Sequence, residues 1–224
     1  MSRIAVITSH IGLNTQLKDP KNKFENVDYF AFVDKKHDCK IWNQIDYVNF
    51  SLDYEFSSRR NAKIYKVLPN LFFPDYDYWF WMDTTHDLIM CPFDVIKMFM
   101  GDSEIGLWNH TERNCAYEEL EVVKNLKYDH INLLDDQLLF YISENFPKNY
   151  GLYELPVIIR KNTEKIKKLN LRWWDQICRF SSRDQISMPY VLWKTNVDIK
   201  LLPGFANGGL FKNDIMPQVR LKGQ

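Results

Sequence analysis

Three short apolar runs, each followed by polar residues, stand out in the first 90 positions of the chain. They span residues 4–8, 29–33 and 78–82, and the last two are followed directly by Asp34 and Asp83. Continuous apolar runs of this length are typical of strands that are buried on both faces of a sheet. Because helical patterns separate the runs, they predict an α/β sheet with helices on both faces.

Helical periodicity fills much of the remaining chain. Residues 59–68 predict a helix that Ser57 or Ser58 caps and Pro69 ends. Further elements are predicted as helices at 92–100, 115–125, 131–144, from a cap at 162 or 163 to 180, and at 185–193, and as strands at 105–108 and 155–159. Pro156 predicts that the strand at 155–159 either lies at a sheet edge or begins at the proline.

No internal repeat, low-complexity tract or linker interrupts this pattern. One domain is therefore predicted over residues 1–224, with a nucleotide-binding half at about 1–90 and an acceptor and catalytic half at about 91–224.

Composition and charge exclude several classes of protein. Of the 224 residues, 46% are hydrophobic and 26% are charged, as in ordinary globular proteins, and the 29 basic and 29 acidic residues cancel. A net charge of zero gives no general attraction to nucleic acid or to an anionic membrane. The first apolar run is too short for a signal peptide or a spanning helix, and the four cysteines lack metal or disulfide spacing. We expect a cytoplasmic protein with reduced thiols and no integral membrane segment.

Aromatic residues are unusually frequent, at 15% of the chain. They suit a large core, and they also stack on sugar rings and nucleotide bases. The surplus permits a sugar or base site, but an aromatic-rich core is the favoured explanation because large apolar residues are mostly buried.

Candidate ligand-binding residues follow the predicted strands, because ligands of open α/β sheets bind at the carboxyl ends of the strands. Thr8, Ser9, Asp34 and Asp83 occupy these positions, and we expect them to contact a nucleotide, with an N-cap or turn role as the open alternative for each aspartate. In the helix predicted at residues 59–68, the cations Arg59, Lys63 and Lys66 share one face. Arg59 and Lys63 are predicted to hold a diphosphate near the helix N-terminus, and a solvated basic face is the open alternative.

A metal site is predicted directly after the run at 78–82. The segment Asp83-Thr84-Thr85-His86-Asp87 brings together acids, hydroxyls and an imidazole. Mg²⁺ and Mn²⁺ take oxygen ligands and are commonly shared between carboxylates and substrate phosphates. Asp83, Thr85 and His86 are the predicted ligands, although an imidazole matches Mg²⁺ poorly and a histidine such as His86 more often makes a structural hydrogen bond.

A third polar group follows the strand at 105–108. Arg113 is predicted to hold a phosphate and Glu118 an acceptor hydroxyl, while His110 is a candidate metal ligand or proton carrier. A structural network around the start of a helix remains an equal alternative.

Several blocks of the sequence resemble the glycosyltransferase-like domain of plant, bacterial and viral proteins that was long labelled a domain of unknown function. The blocks keep their family order, the Arg-Asp-Gln block that opens at Arg183 is the most specific, and together they cover roughly residues 58 to 194. They lie at 58–66, 73–83, 110–119, 146–152, 157–160 and 183–193.

The resemblance implies a GT-A fold related to family-eight glycosyltransferases, a nucleotide-sugar donor (a UDP-sugar is favoured) and a divalent metal at an Asp-X-Asp motif. This chain has Asp83-Thr84-Thr85 there, so the second carboxylate is absent. Arg183, Asp184 and Gln185 are the implied catalytic residues, since the Asp-Gln pair is similar to one beside the anomeric carbon in retaining enzymes of family eight. Asp184 as a helix N-cap is the alternative.

These observations predict a glycosyltransferase that moves a sugar from a nucleoside diphosphate to a hydroxyl group of a glycan or other acceptor, with retention and metal assistance. The incomplete motif and the aromatic surplus support an alternative, a nucleotide-sugar or carbohydrate-binding module without turnover. A metal-dependent phosphohydrolase is weaker, because no second close carboxylate pair is present for two metals.

Overall fold

The computed structural model describes residues 2–50, 57–204, 206 and 211–213, with the backbone alone at 57 and 211–213. Its strands are β1 Ile4–His10, β2 Val27–Val33, β3 Asn43–Asp46, β4 Tyr78–Met82, β5 His86–Leu88, β6 Ile105–Asn109, β7 Tyr153–Lys161, β8 Ile199–Leu201 and β9 Phe211–Asn213. Its helices are α1 Ser57–Val67, α2 Pro69–Phe72, α3 Pro92–Val95, α4 Ala116–Asn125, α5 Ile131–Ser143, α6 Glu164–Arg179 and α7 Asp184–Thr195.

A mixed sheet of seven strands in the order β3-β2-β1-β4-β7-β6-β8 forms the centre of the protein. β1 pairs in parallel with β2 and β4, and β2 pairs in parallel with β3. β7 runs antiparallel to both β4 and β6. The predicted α/β fold class is confirmed, and the predicted apolar runs form the three adjacent parallel strands β2, β1 and β4.

Alternate residues of the central strands contribute to two cores on opposite faces of the sheet. In β1, Ala5 and Ile7 belong to the core that also contains buried residues of α1, α4, α5, α6 and α7. Ile4 and Val6 belong to the second core, which includes Leu17 and residues of α3. This division explains why the runs are apolar at every position, since both faces of a strand are covered.

Pro156 lies inside the sheet, so the prediction of an edge strand or a strand start is wrong. β7 begins at Tyr153 and lies between β4 and β6. The register between β6 and β7 shifts between Gly106 and Trp108, and this irregularity accommodates a residue that has no N–H for the ladder. On the side of β7 that faces β4, the carbonyl of Pro156 accepts the N–H of Asp83 at 2.7 Å. The proline thereby helps to place the first residue after β4.

Other differences from the predicted elements involve short or irregular segments. The predicted helix at 92–100 is α3 followed by a π-helical turn, Ile96–Met100. The strands β3, β5, β8 and β9 and the helix α2 were not predicted, because segments of three or four residues show too little periodicity. Within the described residues, no disulfide joins the four cysteines, and no helix has the length and apolar character that crossing a membrane requires.

Gly12 is required where the loop after β1 passes the start of α1. Its φ is 68°, and an added Cβ would lie 2.4 Å from the Cβ of Ser58. We expect Gly12→Ala to lower the free energy of unfolding by about 1–3 kcal/mol, because strain and a clash act together.

Urea unfolding measures this change, and Gly101→Ala is the matched control. Gly101 also has a positive φ, of 54°, but an added Cβ there meets nothing within 4 Å. The control is expected to lose about 1 kcal/mol or less, from strain alone. Equal losses in the two variants would show that the contact with Ser58 contributes nothing.

Candidate functional site

A cavity of about 340 Å³ lies where the segment after β4 meets α1, β7 and the start of α7. Its volume falls in the range of small-molecule sites. The lining residues are Lys63, Lys66, Asp83, Thr85, His86, His110, Thr111, Glu112, Glu154, Leu155, Pro156, Arg183, Asp184 and Gln185. Eight of the predicted site residues are in this set, namely Lys63, Asp83, Thr85, His86, His110, Arg183, Asp184 and Gln185.

Two lysines of α1 hold Asp184 at the wall of this cavity. The Nζ of Lys63 lies 2.8 Å from Oδ1 of Asp184, and the Nζ of Lys66 lies 2.6 Å from Oδ2. Lys66 also approaches Oδ1 of Asp83, at 3.9 Å. With Arg183, these four residues are called the lysine cluster below. The cluster contains three cations and two carboxylates, so its net charge is positive.

Burial and pairing together set the ionisation of the lysine cluster. Burial alone would raise the pKa of Asp184, but the two adjacent ammonium groups lower it well below its ordinary value of 3.8. Burial, together with the neighbouring Lys66, lowers the pKa of Lys63 to about 8, although Asp184 opposes this shift. At neutral pH Lys63 and Asp184 are therefore both charged, and they form a buried ion pair.

The position of Asp184 is fixed from behind by α6 and by the preceding loop. The indole Nε1 of Trp173 donates to the carbonyl of Asp184 at 3.2 Å and to Oγ of Ser187 at 3.1 Å. Asp129 accepts hydrogen bonds from the hydroxyls of Ser181 and Ser182, at 2.9 and 2.7 Å. Arg183 is the residue before α7 and Asp184 is its first residue, so the alternative of Asp184 as N-cap does not apply.

The end of α1 is fixed by Arg160 of β7, whose side chain is fully buried. Its guanidinium donates to the carbonyls of Lys66 and Val67 and, at 2.7 Å, to Oδ1 of Asn170. It also lies 5.8 Å from the ring centre of Trp173. One side chain therefore connects the helix that carries the lysines to the helix that positions Asp184.

The predicted metal ligands do not form a set that fits a divalent cation. Asp83 is the single carboxylate of the motif, and its Oδ1 already accepts the indole N–H of Trp81 at 2.6 Å. The Nδ1 of His86 is hydrogen-bonded to Oγ1 of Thr85 at 3.0 Å, which matches the structural alternative for this histidine. Asp184 is occupied by the lysines. Within the described residues, no group of three His, Cys, Asp or Glu side chains is placed to hold a metal.

His110 and Arg113 form a network at the start of α4. The Nδ1 of His110 accepts the backbone N–H groups of Glu112 and Arg113, both at 3.1 Å, and its Nε2 lies 3.4 Å from a guanidinium nitrogen of Arg113. Burial and Arg113 lower the pKa of His110. The Nε of Arg113 pairs with Glu119 at 2.9 Å. Both ring nitrogens of His110 therefore face N–H groups of this network rather than a metal, and neither Arg113 nor Glu118 lines the cavity.

A second polar group of the cavity, called the carboxylate cluster, contains His110, Thr111, Glu112 and Glu154. The hydroxyl of Thr111 donates to Oε1 of Glu154 at 3.3 Å, and the N–H of Ala206 donates to Oε2 at 3.1 Å. No pattern in the sequence indicated Glu154 as a site residue. It enters the site because β7 runs antiparallel beside β6, where Glu154 pairs with Trp108.

The other predicted nucleotide contacts lie outside this cavity. Thr8 is buried in β1, which also contains Ser9. Asp34 accepts the N–H of Gly12 at 2.6 Å. Arg59 donates to the carbonyl of Tyr128.

A second cavity, of about 260 Å³, shares Thr85 and His86 with the first. Its lining residues all belong to the first 90 positions, where the nucleotide-binding half was predicted. They are Leu17, Lys18, Asp19, Pro20, Lys21, Trp42, Met82, Thr84, Thr85, His86 and Asp87.

The mixed sheet, with a polar cavity beside the end of β4, defines an α/β protein with a candidate small-molecule site at the end of a central strand. The model of the TOD1/MUCI70 glycosyltransferase-like domain family matches residues 3–207, and the chain belongs to this family. The expected resemblance is thereby confirmed. A similar protein, the probable hexosyltransferase MUCI70 of Arabidopsis thaliana, is 28% identical over 193 residues, which are 75% of this chain and 32% of that protein. The chain thus spans about a third of this relative.

Two solved structures of glycosyltransferases align with most of this chain. The bifunctional glycosyltransferase WbbM in its apo form is 10% identical with a TM-score of 0.50, over 90% of this chain and 38% of that chain. Mouse xyloside xylosyltransferase 1 in its apo form is 9% identical with a TM-score of 0.45, over 90% of this chain and 84% of that chain. At such identities the likeness to WbbM shows the fold alone.

Proposed function

We propose that this protein transfers a hexose from a nucleoside-diphosphate sugar, with UDP-sugars favoured, to a hydroxyl group of an acceptor glycan. The observation that carries the proposal is a cavity whose two polar clusters differ in charge. The lysine cluster has an excess of cations, and the carboxylate cluster contains two carboxylates. A diphosphate is attracted to the first cluster and repelled by the second, which leaves the carboxylate cluster to the acceptor.

The donor is proposed to lie across both cavities. Its diphosphate faces Lys63 and Lys66, and its nucleoside extends past Thr85 and His86 into the second cavity. The apolar side chains of that cavity suit a base, and Trp42 is the largest of them.

Transfer is proposed to retain the anomeric configuration, as the Asp184-Gln185 pair suggests. The acceptor oxygen forms a bond to the anomeric carbon while the bond from that carbon to the diphosphate oxygen breaks. The electron pair of the broken bond remains on the diphosphate, which also takes the acceptor proton. The ammonium groups stabilise the negative charge that develops there, and Gln185 is placed on the cavity wall to position the sugar.

Incubation with UDP-, GDP- and dTDP-hexoses and a panel of neutral and acidic oligosaccharides tests the proposal. Mass spectrometry is expected to show release of the nucleoside diphosphate and a product one hexose larger for at least one pair. Gln185→Ala, which leaves the lysine ion pairs in place, is expected to slow this release. Donor binding without any sugar release would instead support a binding module and contradict transfer.

Donor affinity is expected to fall as pH rises past about 8, because Lys63 then loses its proton and its positive charge. Calorimetric titration with UDP on both sides of this pH measures the change. Lys63→Arg is the matched variant, since a guanidinium stays charged in this range. A decline of the same size in Lys63→Arg would assign the titration to another group.

A further inference from the structure

We propose that Lys63 and Lys66 supply, as two built-in ammonium groups, the positive charge that a divalent cation supplies beside a donor diphosphate. Donor binding then needs no metal ion. This inference rests on the proposed function, and it concerns how the same cavity holds the leaving group. An Asp-X-Asp motif implies a bound divalent metal, but the side chains present at this position do not form a metal site.

The carboxylates that would hold a metal are already committed to other partners. Hard divalent cations are usually held through one or two carboxylates together with substrate phosphates. Asp83 is the single acid of its motif, and a lysine ammonium lies 3.9 Å from its Oδ1. Both oxygens of Asp184 contact ammonium groups, at 2.8 and 2.6 Å. A metal at this position would have to compete with cations that belong to the protein.

The ammonium groups of Lys63 and Lys66 have N–H groups that can donate hydrogen bonds to a phosphate. Each lysine ammonium carries three N–H groups. Among the contacts within the described residues, Lys63 contacts Asp184, while Lys66 contacts Asp184, lies 3.9 Å from Asp83 and faces the ring of Trp81 at 5.6 Å. Both lysines line the cavity, so N–H groups remain for diphosphate oxygens. Charge-assisted hydrogen bonds of this kind are stronger than neutral ones.

The surrounding structure holds the two cations in place before any ligand arrives. The Lys66 side chain is only 3% exposed and that of Lys63 17% exposed, and mutual repulsion would separate them without Asp184. Arg160 fixes the end of their helix, and Trp173 fixes the backbone of Asp184. A rigid pair of cations has the pre-organisation that a bound metal ion otherwise provides.

Calorimetric titration of the full chain with UDP, in EDTA and in Mn²⁺, tests the inference. UDP is expected to bind with the same dissociation constant in both conditions. Lys66→Met is expected to weaken binding about tenfold or more, and Lys66→Arg to retain most of it. Lys97→Met, which removes an exposed lysine from the π-helical turn, is the matched control and should bind as the unmodified protein does.

The outcomes separate the inference from the function on which it rests. Binding of UDP in Mn²⁺ but not in EDTA overturns the inference alone. If UDP, GDP and dTDP all fail to bind in either condition, the proposed function is overturned as well. Should Lys66→Met fail to fold by circular dichroism, EPR of Mn²⁺ with the unmodified protein decides. An unchanged free-ion signal supports the inference, and loss of that signal contradicts it.

Discussion

Asp184→Asn is expected to lower the free energy of unfolding by about 3–5 kcal/mol at neutral pH, because it leaves two buried ammonium groups without their shared carboxylate. The amide has one acceptor oxygen where the carboxylate has two, and its NH₂ group would face an ammonium. Lys63 and Lys66 would then separate, and with them the proposed diphosphate contacts. We expect sugar transfer to fall about 100-fold or more in the fraction that folds.

Urea unfolding and donor turnover measure the two effects, with Asp175→Asn as the control. Asp175 is an acid of α6 whose side chain is 56% exposed, and its pairing with Arg179 is a surface contact. The control is therefore expected to lose about 0.5 kcal/mol or less and to keep full turnover. If Asp184→Asn lowered the free energy of unfolding and the turnover no more than this control does, the positions of Lys63 and Lys66 would not depend on the carboxylate of Asp184.

The pH dependence of stability provides a separate check on Asp184. Its folded-state pKa lies below the ordinary value of 3.8, so the unfolded chain binds the proton more readily. The stabilisation from this carboxylate is then fully present above the unfolded pKa and is lost as pH falls through the folded pKa. The unmodified protein should lose stability in acid more steeply than Asp184→Asn, which has no such group to protonate.

Much of the fold could be predicted from the sequence because the central strands are apolar at every position. β1, β2 and β4 all lie where continuous runs were found, since helices or loops cover both of their faces. β3 could not be predicted in this way, because Asn43–Asp46 is a short and mainly exposed edge strand. The interior position of Pro156 could not be predicted either, since it depends on a register shift between β6 and β7.

The candidate site was only partly predictable, because its ion pairs join residues that are far apart in the sequence. Lys63, Asp83 and Asp184 each belonged to a local pattern that indicated a site. The ion pairs among them join α1 to α7 across a large distance in sequence, and no local pattern encodes such a pairing. Arg59 shares the basic face of α1, yet it lies one turn earlier and bonds to the backbone of Tyr128 instead of lining the cavity.

The proposed role of the lysine pair also bears on the carboxylate that is absent from the Asp-X-Asp motif. In the segment after β4, Thr85 stands where a second acid would complete the motif, and its hydroxyl bonds to His86. A second carboxylate there would add negative charge beside Asp83, which already lies near Lys66. On our proposal, the lysine pair provides the positive charge that a metal ion bound to a complete motif would provide.

Arg160→Lys is expected to destabilise the protein by about 2–4 kcal/mol, although it keeps the positive charge. A lysine cannot reproduce the fork with which Arg160 contacts the carbonyls of Lys66 and Val67 and the side chain of Asn170, and each buried acceptor left unpaired costs about 1–3 kcal/mol. The end of α1 would shift, so the affinity for UDP should fall together with stability. Arg172→Lys, an exposed change on α6, is the control and should alter neither urea unfolding nor UDP titration. An Arg160→Lys protein with unchanged stability and affinity would show that charge alone, and not the fork of hydrogen bonds, fixes the lysine-bearing helix.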